Sequence, residues 1–175
     1  MWRCSINLPE RVRIGIFNRS YYEEMLVVRA HPEILARQKL PPHLVTKNIW
    51  RERFEDVVAY ERYLARNGVL ILKFFLNVSK DEQRERLESR RVEEHKQWKF
   101  NVGDLEERKL WGDYMAAYEA ALSKTSTEHA PWYIVPADRK WYRNWAILRV
   151  LLGAMEELDP QFPPEEDGLA HLEIV

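Results

Sequence analysis

An amide, a guanidinium, two phenols and two carboxylates stand close together in "NRSYYEE", Asn18 to Glu24, directly after the apolar run Ile14 to Phe17. An apolar strand ending in an amide or carboxylate is how many nucleoside-triphosphate enzymes hold a magnesium shell. Asn18 is therefore the candidate metal-side residue, with Mg2+ as the expected ion. Arg19, one position on, carries the planar fork that grips phosphate oxygens bidentately. Phosphoryl transfer needs positioning and charge neutralisation more than covalent help, and this set of groups suits that chemistry. A second cluster lies in "VPADRKWYRNW", Val135 to Trp145, where Arg139, Lys140 and Arg143 follow another apolar run. There Asp138 reads as a helix N-cap and Trp141 and Trp145 as core residues, with Arg139, Lys140 and Arg143 as candidate phosphate or nucleotide contacts. A third stretch, "KDEQRERLESRRVEEHKQWKF", has only Leu87, Val92, Trp98 and Phe100 as large apolar residues. Two readings fit it: a solvated helix laced with i,i+4 ion pairs, or a mobile lid over about 80–103. As a lid it would lower Arg86, Arg90 and Lys99 onto a polyanion, and its thin apolar stripe would let it open.

Three short segments read as the strands that position these groups: Ile14 to Phe17, Val69 to Val78 and Trp132 to Val135. The near-continuous apolarity of the first two suits strands covered on both faces, as in a parallel sheet. Helical patterns separate them. Trp50, Phe54, Val57 and Leu64 fall on one face of a helix that should stop at Asn67-Gly68. Ser79 with Glu82 three residues later is a capping box, and Asp104 with Glu107 repeats the pattern. Beyond Asp104, Leu110, Trp111, Tyr114, Met115, Tyr118 and Leu122 recur at helical spacing. After the third strand, Trp141, Trp145, Leu148, Leu152 and Met155 form one stripe. Alternating strands and helices predict an α/β fold with right-handed crossovers. Ligands in such folds sit beyond the carboxyl ends of the strands, where Asn18-Arg19, Asn77 with Ser79, and Asp138-Arg139-Lys140 all fall.

The chain has 175 residues, enough for one domain with a real core, and a formal net charge of -1. That balance supplies no global basic field, so nucleic acid is not an expected partner. Cys4 is the lone cysteine, and the five histidines show no ligand spacing, so disulfide and zinc frameworks are absent. Ser20 has no His/Asp partner in view for a nucleophile triad. The longest apolar run, 69–78, is interrupted by Lys73 and is too short to cross a bilayer. With no signal-peptide pattern at the N-terminus, a cytoplasmic protein is expected, without membrane partners. Residues 161–175 form a Pro-rich acidic tail after a single domain over 1–160.

Taken together, "IGIFNRSYYEEMLVVRAHPE", "FFLNVSKDEQRERL", "HKQWKFNVGDLEERKLWGDYMAAYEAALSKTST" and "APWYIVPADRKWYRNW" resemble the polyphosphate kinase 2 family across about Trp2 to Leu158. The resemblance implies a P-loop kinase-like, three-layer α/β/α fold and phosphoryl transfer between inorganic polyphosphate and nucleotides such as ADP, AMP and GDP. It also implies homo-oligomers. Asn18 and Arg19 match the end of the family's Walker B strand. Many members have Asp where this chain has Asn18, and the Asn form resembles a subgroup acting on both mono- and diphosphates. Glu23 matches a position near the acceptor nucleotide. Arg90 matches the lid arginine that reaches the transferring phosphate, while Lys99, Arg139 and Lys140 are looser matches as binding residues.

One departure is large. The six glycines include no pair with the GxxxxGK spacing of a P-loop. The resemblance begins just before the Walker B strand, so the domain is expected to be incomplete, without the family's first strand and P-loop. Two readings follow: a truncated or split phosphotransferase, or an inactive paralogue that binds polyphosphate or assembles with intact subunits. In the family the missing strand lies between the Walker B strand and the one matching 69–78. Buried unpaired backbone groups there would cost about 1–3 kcal/mol each. The isolated chain is therefore expected to be marginally stable or to pair its strands differently.

Overall fold

In the computed structural model, residues 2–164 are described, and the acidic tail expected over 161–175 lies mostly outside them. Helix α1 (Trp2–Ser5) leads into an extended segment, followed by α2 (Glu23–Ala30) and α3 (Pro32–Arg37). A 3-10 turn at Pro42–Leu44 precedes α4 (Ile49–Arg66), and then comes strand β1 (Lys73–Asn77). Helices α5 (Lys80–Val92), α6 (Glu94–Gln97), α7 (Gly103–Lys109) and α8 (Trp111–Thr125) follow, before β2 (Trp132–Pro136) and α9 (Lys140–Leu158). None of the helices among the described residues is long and apolar enough to cross a membrane.

β1 and β2 pair in parallel, with Lys73 opposite Trp132 and Asn77 opposite Pro136. The α/β class with a parallel sheet is as the sequence predicted, and within the described residues that sheet has two strands. The core lies over one face of it, where Tyr22, Met25 and Leu26 meet Phe54 and Val57 of α4 and Ala117 and Ala121 of α8. The buried stripe of α8 is Ala117, Ala121 and Thr125, small side chains that let α2 and α4 approach closely, while Met115 is exposed. Phe75 reaches the same layer through Tyr118 of α8, their rings 4.6 Å apart. By the alternation of a strand, Phe74 points to the opposite face, where it stacks on Tyr133 at 5.5 Å.

Several expectations hold locally. α4 buries Phe54, Val57 and Leu64 and stops at Asn67, with Gly68 in the left-handed region at φ 81°. Ser79 Oγ accepts from the Glu82 amide at 3.1 Å, capping α5 as the Ser/Glu spacing predicted.

Others need correction. Ile14 to Phe17 is extended but is not a strand: no described segment pairs with it, Arg13 N donates to Glu10 O in a turn, and Ile16 is 90% exposed. Apolar composition makes a strand only where a neighbour takes up its backbone groups. The second strand is shorter than 69–78, because pairing with β2 begins only at Lys73. Asp104 does not cap a helix: α7 begins one residue earlier and Asp104 sits in its first turn, with Val102 at the cap. The pattern after Asp104 is broken at Leu110 into α7 and α8.

Candidate functional site

The carboxyl ends of β1 and β2 lie side by side, and the chain leaves both toward helices. The ladder continues one step beyond the strands, with Ala137 N donating to Asn77 O at 2.9 Å. Asp138 Oδ1 then accepts from the Ser79 amide at 2.7 Å. That bond corrects the expectation of Asp138 as an N-cap: α9 starts at Lys140 with Arg139 at the cap, and Asp138 ties the two strand ends together instead. Around them opens a cleft of about 460 Å³, lined by Asn77, Ser79, Pro136, Asp138, Arg139, Trp141 and Tyr142. The free amides and positive dipole end of α9 face this side of the fold, and Arg139 and Lys140 add two exposed cations. The arrangement suits a phosphate-bearing anion.

Arg86 is fastened to the same place from α5. Its Nε donates to Glu82 Oε1 at 2.7 Å, and its Nη2 lies 2.8 Å from Ala137 O and 3.0 Å from Asp138 O. In this arrangement the guanidinium straps the first turns of α5 to the end of β2. α5 itself buries only Leu87, and the helical path breaks at Glu93, which has extended backbone. Arg90 reaches Asp104 at 3.6 Å, across to α7. Lys99 Nζ lies over the Trp98 ring at 4.8 Å from its centroid.

The Asn18–Glu23 loop forms its own small constellation. Arg19 takes a left-handed backbone at φ 70° and its Nε lies 3.4 Å from Glu23 Oε1, the guanidinium open to solvent and the carboxylate half-buried. Tyr118 stands beside them: burial raises its phenol above the ordinary range, the Glu23 carboxylate raises it further, and Arg19 pulls it back. Since Tyr118 also packs on Phe75, it connects this loop to β1. The cleft lining thus includes Arg139 but not Arg19, Glu23, Arg90 or Lys99. Trp141 and Trp145, expected in the core, are instead exposed, because α9 touches the sheet mainly through β2 and turns that stripe away from it.

Sequence reading missed a buried polar cluster beneath the loop. Glu61 of α4 is 0% exposed and Lys73, the first residue of β1, 6%. Lys73 Nζ donates to Glu61 Oε2 at 2.7 Å, to Tyr22 Oη at 2.9 Å and to Thr125 O at 2.8 Å. Glu61 Oε1 accepts from Tyr21 and Tyr22, each at 2.9 Å. Burial pushes the Lys73 amine below its ordinary value, opposed by its bond to Glu61. Burial and the Glu61 charge raise both phenols. The signal in the sequence was Lys73 itself, a charge inside "VLILKFFLNV".

A resident magnesium is not built from these side chains. Among the described residues no group of three or more His, Cys, Asp or Glu gathers to hold a metal. Asn18 offers a single amide oxygen and the neighbouring Glu23 is engaged by Arg19. The donor set does not fit a protein-made magnesium shell.

Helices over a parallel pair, with cations collected where the strands end, define an α/β protein whose strand ends are the place where ligands of such folds sit. A family model described as polyphosphate kinase 2 matches residues 1–163. An AMP/ADP-polyphosphate phosphotransferase from Meiothermus ruber is 46% identical over 166 residues, covering 95% of this chain and 58% of the relative. An ADP-polyphosphate phosphotransferase from Rhodopseudomonas palustris is 49% identical over 164 residues, 93% of this chain and 57% of the relative. The crystal structure of polyphosphate kinase 2 from Arthrobacter aurescens superposes with a TM-score of 0.87 at 38% identity, over 97% of this chain and 56% of that one. The chain belongs to the polyphosphate kinase 2 family, and it spans a little over half the length of these relatives. Its mixed α/β architecture is that of an incomplete P-loop kinase-like fold.

Proposed function

We propose that the chain provides the polyphosphate- and nucleotide-facing part of a polyphosphate:nucleotide phosphotransferase, with ADP, AMP and GDP as the nucleotide class. The observation that carries this reading is the cleft at the ends of β1 and β2, rimmed by Arg139, in a chain 46% identical to an AMP/ADP-polyphosphate phosphotransferase. In this reading Arg139 and Lys140, with the α9 amides, bind phosphate groups. Arg86 holds the lid base against the cleft and adds positive charge there. Arg19 and the lid's Arg90 neutralise charge on the transferring phosphoryl group, Lys99 follows the chain of phosphates, and Glu23 faces the nucleotide. Asn18 contributes one oxygen beside Arg19, and magnesium enters as the counter-ion of the substrate's own phosphates.

Nothing in the 175 residues supplies P-loop amides and lysine, so binding and turnover separate in the test. Calorimetry should show the chain binding tripolyphosphate and ADP in the presence of magnesium, with affinity falling as salt rises. Replacing both Arg139 and Lys140 by Ala should weaken tripolyphosphate by at least about tenfold, about 1.4 kcal/mol, the size of a single charge-assisted contact, since water screens these two exposed cations. Conversion of ADP to ATP from polyphosphate should be little or none for the chain on its own. Absence of binding to both ligands would sink the reading, and rapid turnover would overturn the requirement for P-loop groups.

A further inference from the structure

Lys73 and Glu61 form an ion pair almost sealed from water, and burying such a pair is a poor way to gain stability. Desolvation of two charges offsets most of their attraction, and well-packed apolar residues often do as well. The arrangement of their protons shows what else the pair does. All three Lys73 donors are used, on Glu61, Tyr22 and the Thr125 carbonyl. The Tyr22 hydroxyl has one proton and stands 2.9 Å from both Glu61 Oε1 and Thr125 Oγ1. Thr125 gives its own proton to Ala121 O and accepts from Trp132 Nε1. The carboxylate is the stronger acceptor, so the Tyr22 proton goes to Glu61. Tyr21 donates to the same oxygen. Two consecutive tyrosines are therefore pinned by hydroxyl to one carboxylate, which Lys73 in turn holds against the start of β1.

Those tyrosines stand between Arg19 in the loop and Glu23 at the start of α2. Arg19 lies two residues before Tyr21, and Glu23 directly follows Tyr22. The backbone there is bonded only to its own neighbours: Tyr22 N donates to Ser20 Oγ at 3.3 Å and Glu23 N to Ser20 O at 3.2 Å, while Tyr21 O and Tyr22 O accept from Glu24, Met25 and Leu26 in the first turn of α2. Arg19 also holds a left-handed backbone, a conformation that surrounding structure must enforce for a side chain of its size. We propose that Glu61 and Lys73 are positioning residues for Arg19 and Glu23, acting through the hydroxyls of Tyr21 and Tyr22. Neither touches a ligand. The pair fixes the loop against α4, β1 and α8, so that the guanidinium and carboxylate are set before a ligand arrives. The functional side of this inference rests on the phosphotransferase reading above, whereas the anchoring of the loop does not.

Two variants test it: E61L/K73M, which replaces the pair by apolar side chains, and Y21F/Y22F, which keeps the pair and both rings but removes the hydroxyl links. Hydrogen exchange at the Tyr22, Glu23 and Glu24 amides is read on the intact chain alongside amides of β1, β2 and α9. Both variants should speed exchange at these three amides by about tenfold, a clearly larger factor than at amides of β1, β2 and α9. A uniform rise over the whole chain, or no rise in the loop, overturns the proposal, since a merely structural role acts globally. The second readout is the tripolyphosphate dissociation constant. Y21F/Y22F and R19A should each weaken it, and the combined variant should be no weaker than R19A alone, because both act through the same guanidinium. Multiplying effects overturn the positioning role. If the unaltered chain binds neither tripolyphosphate nor ADP, the phosphotransferase reading fails, and loop exchange still decides whether the pair anchors residues 21 and 22.

Discussion

Lys73 shows how one residue can be wrong for its element and right for the molecule. As the opening residue of a strand that continues Phe74, Phe75, Leu76, a lysine is a poor choice by propensity and by burial. Its amine is tolerated because every donor has an acceptor and Glu61 balances the charge. That compensation is mutual, so removing one partner should be far worse than removing both. Lys73→Met leaves Glu61 buried with an uncompensated charge, and should lower unfolding free energy by about 3–5 kcal/mol in urea titration. Glu61→Leu should be of similar size. The double variant should lose clearly less than the two losses added, the difference being the coupling between them. Additive losses would show that the two charges do not sense each other. Arg86 makes the complementary point: a guanidinium chosen from sequence as a polyanion contact is held by Glu82 and two backbone carbonyls at a strand end.

At the scale of elements, what was legible in the sequence was what neighbours along the chain decide. α4 with its Asn67-Gly68 stop, the Ser79 cap of α5, and β2 starting directly after Pro131 are all local patterns, and all are present. What failed depended on contacts distant in sequence. Residues 14–17 needed a strand beside them, Asp138 was claimed by the Ser79 amide, and the α9 tryptophans needed a surface to cover. The buried Glu61 carboxylate was hidden for the same reason, since its donors come from Tyr21, Tyr22 and Lys73. His31, one of the five histidines without ligand spacing, joins elements: its Nδ1 lies 2.9 Å from Glu33 at the start of α3 and its Nε2 3.0 Å from Glu107 of α7. The Glu107 bond is the main cause of a His31 pKa raised above its usual value, with burial opposing. Glu107 is lowered in return, first by His31 and then by the Tyr114 hydroxyl. Glu33 is lowered by a bond to its own backbone amide and then by His31. The signs set a window. The raised histidine contributes fully below about pH 6.5 and its contribution fades as pH climbs through the raised value. The lowered carboxylates contribute above about pH 4.5 and fade as pH falls through their depressed values. Docking of α7 on α2 and α3 should thus be firmest between these limits. Hydrogen exchange at residues 103–109, corrected for intrinsic rates, should be faster at pH 8.5 than at pH 6, and His31→Gln should flatten that difference. Equal protection at both pH values in the unaltered chain would remove the histidine link.

For the molecule as a whole, one helical stripe and one extended segment leave large apolar side chains in contact with water. Trp141, Trp145, Leu148 and Leu152 follow one another at spacings of four, three and four along α9, and all are exposed, Trp141 by 66%. Val12, Ile14, Ile16 and Phe17 are exposed as well, in a segment with no strand partner among the described residues. Scattered apolar residues on a surface need no explanation, but a helical stripe of four is a contiguous patch of the kind that marks association. Its spacing matches the seam by which one helix packs on another. The chain is therefore expected to self-associate in solution through α9, with sedimentation shifting to larger species as concentration rises. Burying one leucine is worth roughly 1.5–3 kcal/mol, so Leu148→Glu should weaken association by at least about tenfold. Ile16→Lys separates the two surfaces. If it dissolves the assembly and Leu148→Glu does not, the extended segment is the sticking surface and α9 is not; the reverse pattern assigns association to the helix. A chain that sediments as a single copy at all concentrations, while its α9 tryptophans stay open to a soluble quencher, would show that this stripe drives no assembly.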